Sequence, residues 1–263
     1  MLSMRRQQMQ MGPHEPSNWR RKKMQDSQIL KSRDGVVIFD PSQAGDFDDH
    51  WFDRSFWLTN GTAMDTPTGR GSVLVLDIGA EAWVLRHYFR GGFIARFLHD
   101  QYFWLGVEQS RAFREWRLLY RLHAAGLPVP KPIAGRVRRH GLIYRADIIT
   151  AYIPETRTLS AWLRDGGLDP GLWRTIGEML REFHAFGVDH PDLTAHNILI
   201  GTHGEVFLVD FDNASLQEHG PWQEMGLARF QRSLRKVAME TGTLFDQEAW
   251  QELERAYRAV PGH

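Results

Sequence analysis

The sequence of 263 residues contains no cysteine, which excludes disulfides, thiolate zinc sites, iron–sulfur clusters and cysteine nucleophiles. It also lacks an excess of either charge, because 32 basic residues balance 32 acidic ones. General nucleic-acid-binding proteins carry a broadly positive field, so we expect no nucleic-acid partner. No apolar run reaches the ~18 residues of a membrane-spanning helix, and residues 1–28 lack the apolar core of a signal peptide. These absences favour a soluble, intracellular protein.

What the sequence does contain is a strand-rich first part and a helical second part. Residues 1–31 are polar and include a basic run at 20–23. They have too few apolar side chains to offset the entropy of ordering, so we expect a disordered basic leader. Residues 32–150 are expected to form a strand-rich N-lobe with one long helix, and residues 151–263 a mainly helical C-lobe. This order of elements predicts an α+β, bilobal fold.

Apolar periodicity places the individual elements along the chain. The second half is expected to pack its helices around two short strands. In chain order the pattern predicts a strand at 36–39, a helix at 46–58, a hairpin of 72–77 with 82–88, a helix at 110–125, a hairpin of 133–137 with 142–150, helices at 159–163 and 171–186, strands at 198–200 and 206–209, and helices at 226–240 and 246–259.

One motif carries chemistry. Residues 190–197 read HPDLTAHN and residues 206–212 read VFLVDFD, so that Asn197 follows Asp192 by five positions and Asp210 follows Asn197 by thirteen. Such a loop can set a carboxylate beside an acceptor hydroxyl and turn an amide toward a metal ion, while the two strands return a second carboxylate to that ion. The alternative is structural, with a turn cap, a turn residue and a strand end. The combination resembles the catalytic loop and metal-binding Asp of protein kinases, which implies a protein-kinase-like fold.

The first half supplies partners that fit this interpretation. Gly69 and Gly71 precede a strand, and glycines let backbone N–H groups approach phosphate oxygens, although any hairpin can begin in this way. Arg86 stands in the next strand, where a kinase has the lysine of V-A-I-K. Glu115 on the long helix can pair with Arg86 across a cleft. The alternative is an ordinary surface ion pair of little energy.

Three departures from the kinase pattern affect the prediction. Arg86 replaces lysine, and its planar fork differs from a compact ammonium, so both an active enzyme and a phosphate-binding pseudokinase stay open. Asp212 replaces the glycine of D-F-G and removes a flexible hinge. The sequence has no A-P-E motif and no long activation segment, which disfavours a peptide acceptor and favours a small molecule or a lipid.

Several stretches narrow the resemblance further. They are LRHYFRGG at 85–92, YRAD at 144–147, AHNIL at 195–199, VDFD at 209–212 and LRK at 234–236. Together they resemble the 3-deoxy-D-manno-octulosonic acid (Kdo) kinases of the lipopolysaccharide kinase family, over roughly residues 35–240. The resemblance implies ATP-dependent phosphorylation of the 4-hydroxyl of the Kdo sugar on a lipid A precursor. It also implies a peripheral enzyme at the cytoplasmic face of the inner membrane.

The resemblance assigns roles to the residues of the motif. Asp192 becomes the catalytic base, while Asn197 and Asp210 become ligands of Mg²⁺. Gly69 and Gly71 become the cradle for the phosphates of ATP, with Arg86 held beside them by Glu115. His190 is expected to brace the loop through hydrogen bonds, and adenine to lie near residues 151–153.

Two segments suit an anionic, acylated acceptor. Arginines and aromatic residues alternate over 86–98, and basic residues recur near one face of a late helix. The alternative is that the aromatic residues belong to the core and the charges to a solvated face. The basic residues of the late helix are Arg229, Arg232, Arg235 and Lys236.

Two other functions stay open at this point. The chain could be a non-catalytic nucleotide or lipid sensor, which Arg86 motivates, or a kinase of another small alcohol. The sequence does not indicate the oligomeric state.

Overall fold

The computed structural model describes residues 27–32, 35–45, 47–68, 71–79, 81–89, 100–166 and 169–259. Most of the first half forms one antiparallel sheet with the strand order β1-β2-β7-β8-β5-β4-β3, to which β6 is added beside β8. The strands are β1 (Gln28–Ser32), β2 (Gly35–Phe39), β3 (Ala63–Thr68), β4 (Gly71–Asp77), β5 (Ala82–His87), β6 (Tyr102–Phe103), β7 (Pro132–His140) and β8 (Ile143–Ala151).

Burial on this sheet alternates along the strands and divides them between two apolar clusters. In β5, Trp83 and Leu85 point to an outer cluster that also contains Phe39 and Trp51. Arg86 therefore points to the other face, because successive side chains of a strand alternate. That inner face packs on the main core of the protein, which continues into the second half.

The long helix that covers the inner face is α3 (Arg111–Ala124), which follows the short helices α1 (Pro41–Ala44) and α2 (Arg54–Thr59). It buries Phe113, Trp116 and Leu119 at helical spacing. It also lies close to β7, since a Cβ atom at Gly135 would be 3.1 Å from the Ala112 carbonyl oxygen. This packing places the Glu115 carboxylate of the helix toward Arg86 of β5.

The second half is mainly helical. Its elements are β9 (Thr156–Thr158), α4 (Leu159–Arg164), α5 (Pro170–Ala185), β10 (Val188–Asp189), β11 (Ile198–Gly201), β12 (Val206–Leu208), β13 (Ser215–Leu216), α6 (Trp222–Thr241) and α7 (Gln247–Arg258). The short strands pair as β12-β11-β9 and as β10-β13. Asp210, which lies between β12 and β13, contacts Arg86 of β5, so this segment of the second half meets the sheet of the first half. The α+β, bilobal, protein-kinase-like fold expected from the sequence is confirmed.

Two details of the first half differ from the prediction. The single helix expected over 46–58 is wrong: a 3₁₀ turn at Asp49–Phe52 is followed by α2. The physical reason is Asp53, which ends the turn and caps α2 through a 3.0 Å bond from the Phe56 amide to its side chain. Strand β1 also lies inside the expected disordered leader of residues 1–31, so any such leader ends before Gln28. Residues 1–26 lie outside the described residues.

Candidate active site

Arg86 stands at the centre of a group of charged side chains on the inner face of the sheet. Its Nη2 lies 2.5 and 2.7 Å from the two carboxylate oxygens of Glu115 on α3. Its Nη1 donates to Asp210 Oδ1 in the second half at 2.5 Å. Burial opposes the charge of Arg86, but the two carboxylates outweigh it and raise the pKa of Arg86 well above its ordinary value. One guanidinium thus joins both halves of the chain.

Glu115 is 3% exposed and receives a third hydrogen bond, from the Tyr88 hydroxyl at 2.6 Å. Burial raises the pKa of Glu115 to about 7. Arg86 lowers this pKa, whereas the negative charges of Asp210 and Asp212 raise it further. Burial likewise raises the pKa of Tyr88 well above its usual range, with Glu115 adding to the effect. The Glu115 carboxylate is therefore buried, and its position is fixed by the hydrogen bonds from Arg86 and Tyr88.

Asp210 has a strained backbone. Its φ of +66° lies in the left-handed region, which side chains other than glycine adopt at a cost of about 1 kcal/mol. Strand β12 ends at Leu208, and the amide of the next residue, Val209, donates to the Asn197 carbonyl at 2.9 Å. Asp210 comes directly after this bond. The carboxylate is 38% exposed and thus remains accessible from solvent. Strain that carries a charged side chain to an accessible place is typical of functional sites.

The loop between β10 and β11 is closed by the Asn197 side chain. Its Nδ2 donates to the backbone carbonyl of Asp192 at 2.8 Å. The Asp192 side chain itself is exposed. Because the amide nitrogen is engaged, the Asn197 side-chain oxygen is the atom left to accept or to bind a cation. Two hydrogen bonds therefore connect Asp192, Asn197 and the residue that precedes Asp210.

His190 supports this loop from below. Its Nε2 lies 3.2 Å from the Val209 carbonyl oxygen, and its ring centroid is 5.1 Å from that of Phe211. Burial lowers the pKa of His190. A neutral imidazole that donates from Nε2 fits these contacts, which agree with a bracing residue. Further anchors come from Ser233, which accepts from the Ala195 amide at 3.0 Å, and from Arg229, which donates to the His190 carbonyl at 3.4 Å.

Asp212 makes a contact that sequence reasoning missed. Arg111, the first residue of α3, donates from Nη1 to Asp212 Oδ2 at 2.5 Å and lies over the Tyr102 ring at 4.6 Å. Burial raises the pKa of Asp212, although Arg111 and Arg86 lower it. Asp212 Oδ1 is buried and, within the part of the chain that the structure describes, has no hydrogen-bond partner. The residue that replaces the glycine of D-F-G is thus a second acidic group beside Asp210.

These donors suit a hard divalent cation. Asp210, Asp212 Oδ1 and the Asn197 side-chain oxygen are all oxygen donors, which Mg²⁺ prefers. Over the described ranges, no group of three His, Asp or Glu side chains could hold a metal ion by itself. Mg²⁺ commonly takes one or two carboxylates and completes its shell with water and substrate phosphates, so this donor set fits it.

Comparison with known proteins now decides the family. A sequence model described as "Lipopolysaccharide kinase (Kdo/WaaP) family" matches residues 54–257. The chain belongs to this lipopolysaccharide kinase family. Among its relatives, the 3-deoxy-D-manno-octulosonic acid kinase of Vibrio cholerae serotype O1 is 36% identical over 217 residues, covering 82% of this chain and 89% of that protein. The proteins of the same name from Actinobacillus succinogenes (38% over 215 residues, covering 79% and 90%) and Stenotrophomonas maltophilia (37% over 227 residues, covering 85% and 89%) are also similar.

Membership confirms the family resemblance, and with it the class of enzyme. The relatives are named as kinases, so the chain is a phosphotransferase with an alcohol group as acceptor. Among the residues expected in the site of a lipopolysaccharide kinase, the structure brings together Arg86, Glu115 and Asp210 by direct contact. It links Asp192 and Asn197 through the loop.

Of the two glycines expected to bind phosphate, the structure describes only Gly71. Gly71 begins β4 and lies opposite Thr68 of β3, so the two strands form a hairpin at this point. Gly69 lies outside the described residues, and so does 90–99, which includes most of the basic and aromatic segment expected to meet the acceptor. In the late helix, Arg235 lies over Phe245 at 4.8 Å and Lys236 is 3.8 Å from Glu240.

A cavity of about 460 Å³ lies on the opposite face of the sheet from these groups. Leu85 and His87 line it, whereas Arg86 between them points to the inner face. The cavity is therefore separate from the cleft that contains Asp210.

Proposed function

We propose that this protein transfers the γ-phosphoryl group of ATP to the 4-hydroxyl of the Kdo sugar on a lipid A precursor, in the biosynthesis of the lipopolysaccharide inner core. The observation that carries the proposal is the contact of Arg86 with both Glu115 and Asp210. The contact joins β5, whose Arg86 would bind the phosphates, to Asp210, whose carboxylate would bind the metal ion. The names of the relatives supply the acceptor sugar.

Asp192 is the proposed base. Asp192 is exposed, and its backbone carbonyl accepts a hydrogen bond from Asn197 Nδ2 at 2.8 Å. Asp192 accepts a hydrogen bond from the sugar hydroxyl, orients the oxygen toward the γ-phosphorus and takes the proton as the new O–P bond forms. The bond from the γ-phosphorus to the bridging oxygen breaks, and ADP leaves. This role needs a loop that positions Asp192 without burying it.

The proposed metal ligands are Asn197 and Asp210. When bound there, Mg²⁺ neutralises charge that develops on the transferred phosphoryl group. Arg86 binds phosphate oxygens, and Gly69 with Gly71 allows the backbone of the β3–β4 hairpin to approach them. Glu115 fixes the orientation of the Arg86 guanidinium through two hydrogen bonds, and because Glu115 is buried this is not an ordinary surface ion pair.

We also propose the division of labour between the lobes and the place of the enzyme. Residues 32–150 bind the nucleotide phosphates, residues 151–263 hold the catalytic loop, and the boundary falls at the end of β8. Within the residues that the structure covers, no helix is both long and apolar enough to cross a bilayer. From the membrane-bound lipid acceptor, we propose peripheral attachment to the cytoplasmic face of the inner membrane, through that acceptor and the surface of the protein.

The test is transfer of labelled γ-phosphate to a purified Kdo-bearing lipid A precursor with Mg²⁺, followed by mass spectrometry and NMR of the product. We expect one added phosphate on the 4-hydroxyl of Kdo and loss of transfer in Asp192→Asn. Nucleotide binding without transfer in the folded wild-type protein would favour a sensor. Transfer to another small alcohol, but not to the glycolipid, would contradict the proposed acceptor.

A further inference from the structure

The end of the sheet formed by β6 and the β7–β8 hairpin exposes three large apolar side chains. Phe103 is 67% exposed, Leu105 78% and Leu142 80%. Phe103 pairs with Ile143, the residue after Leu142, and Leu105 directly follows Trp104, whose amide donates to the Leu142 carbonyl at 2.9 Å, so the backbones of the three residues lie close together. We call these three residues the apolar tip. Single exposed apolar residues are ordinary, but a cluster of this kind on a protein surface marks an interaction site.

Arginines surround the apolar tip. Arg138 and Arg145 lie directly opposite each other on β7 and β8, on the sheet face that also carries Phe103. Arg139 precedes the turn, donates to the Gly141 carbonyl at 2.8 Å and lies over the Trp104 ring at 5.1 Å. Like charges placed opposite each other on a sheet are unfavourable, so this pair needs compensation.

The acidic groups nearby compensate these arginines only in part. Asp100 lies 2.7 Å from Arg145 Nε, and Asp147 lies 3.7 Å from Arg138 Nη2. Asp147 is already engaged by Arg136 at 2.9 Å and by His87 at 2.6 Å. Arg138 Nε is buried and, among the residues described, lacks a hydrogen-bond partner. The surroundings of the tip therefore hold a surplus of positive charge.

We infer that the apolar tip and Arg138, Arg139 and Arg145 form a surface that docks on an anionic lipid bilayer. The apolar side chains enter the acyl boundary, and the arginines donate to headgroup phosphates. Apolar bodies flanked by basic heads match such an interface, and each basic residue near an anionic surface adds attraction. The inference rests on the proposed function only in its choice of a lipid surface as the occupant, since a membrane glycolipid is the acceptor there.

The experiment uses the full-length protein and vesicles of phosphatidylcholine with or without phosphatidylglycerol, separated by sedimentation. We expect binding to the anionic vesicles, weakened by salt. The triple variant Phe103→Ser, Leu105→Ser, Leu142→Ser should lower the partition coefficient by on the order of 100-fold, as loss of three partly buried apolar side chains requires. The matched control is Met239→Ser with Leu244→Ser, which are 81% and 95% exposed in the other half and should change nothing.

A charge variant separates the two contributions. Arg139→Gln should weaken binding to anionic vesicles about fivefold and leave zwitterionic vesicles unaffected, whereas Arg255→Gln on α7 should have no effect. Equal losses in the tip and control variants, or no vesicle binding by the wild type, would overturn the inference. So would a tip variant that changes the oligomeric state in light scattering but not vesicle binding, since the occupant would then be a second copy.

The outcome stays distinct from that of the proposed function. Phosphorylation of a water-soluble, deacylated acceptor should be the same in the wild type and the tip variant. A protein that binds vesicles through the tip but phosphorylates neither acceptor would refute the proposed function alone. A protein that phosphorylates both acceptors but ignores vesicles would refute the docking surface alone.

Discussion

Arg111 at the start of α3 and Asp212 two residues after Asp210 share a hydrogen bond of 2.5 Å between Nη1 and Oδ2. The bond connects the long helix of the first half with the segment of the second half that contains the proposed metal ligand Asp210. Arg86 makes the parallel connection from β5 to Asp210. Two arginine–aspartate pairs therefore span the cleft, and in both of them an arginine of the first half holds a carboxylate of the second.

The Arg111–Asp212 pair should show strong energetic coupling. Arg111→Ala leaves a partly buried carboxylate whose pKa burial has already raised, so its charge loses compensation. In a double-mutant cycle with Asp212→Ala, we expect a coupling energy of about 1–3 kcal/mol in the free energy of unfolding, measured with urea. The exposed pair Arg174–Glu252 is the control and should couple by less than about 1 kcal/mol. Additive effects at Arg111 and Asp212 would contradict the role of the pair.

Backbone strain at Asp210 makes a separate prediction. Asp210→Ala and Asp210→Gly remove the same carboxylate and the same partner of Arg86, but only glycine adopts a φ of +66° without penalty. Asp210→Gly should therefore be more stable than Asp210→Ala by about 1 kcal/mol in chemical denaturation. Both variants should lose phosphoryl transfer. Equal stabilities would mean that the left-handed conformation costs nothing here.

Much of this architecture could be predicted from local patterns. Alternation in β4 and β5 and the helical spacing of Phe113, Trp116 and Leu119 are properties of short windows, which periodicity detects. The spacing of Asp192, Asn197 and Asp210 was detectable because a loop and hairpin impose it. The contact between Arg86 and Glu115 could be predicted only because protein kinases pair a basic residue of the corresponding strand with a glutamate of the following helix.

The features that escaped prediction depend on contacts distant in sequence. No local sequence pattern relates Arg111 to Asp212, because the two residues come into contact only when the two halves of the chain are folded together. Strand β3 contains Asp65 and Pro67, which disfavour strands, yet it pairs along the edge of the sheet with β4. The left-handed conformation of Asp210 is likewise not predicted by any propensity scale, because residues other than glycine keep it only where the surrounding fold holds them there.

Glu115 predicts a pH dependence of stability. The pKa of its carboxyl rises from 4.5 to about 7 on burial, so the folded protein favours the neutral form. The stability from this group is present in full below pH 4.5 and is lost as pH rises through about 7. Wild type should thus lose, relative to Glu115→Gln, on the order of 3 kcal/mol across this window, followed as Tm against pH. A constant difference in Tm would show that Arg86 keeps Glu115 ionised throughout.

Asn197 offers the sharpest test of how the loop positions Asp192, the proposed base. Asn197→Asp keeps oxygen donors for a cation but replaces the Nδ2 donor with an acceptor that faces the Asp192 carbonyl. The repulsion should displace Asp192 and lower kcat by on the order of 10–100-fold, because small errors in the position of a reacting group are costly. The Mg²⁺ concentration for half-maximal activity should not rise, since the added charge attracts the cation. Asn197→Ala, which loses the oxygen ligand as well, should need more Mg²⁺. If Asn197→Asp keeps the wild-type kcat, the hydrogen bond to Asp192 does not position the base.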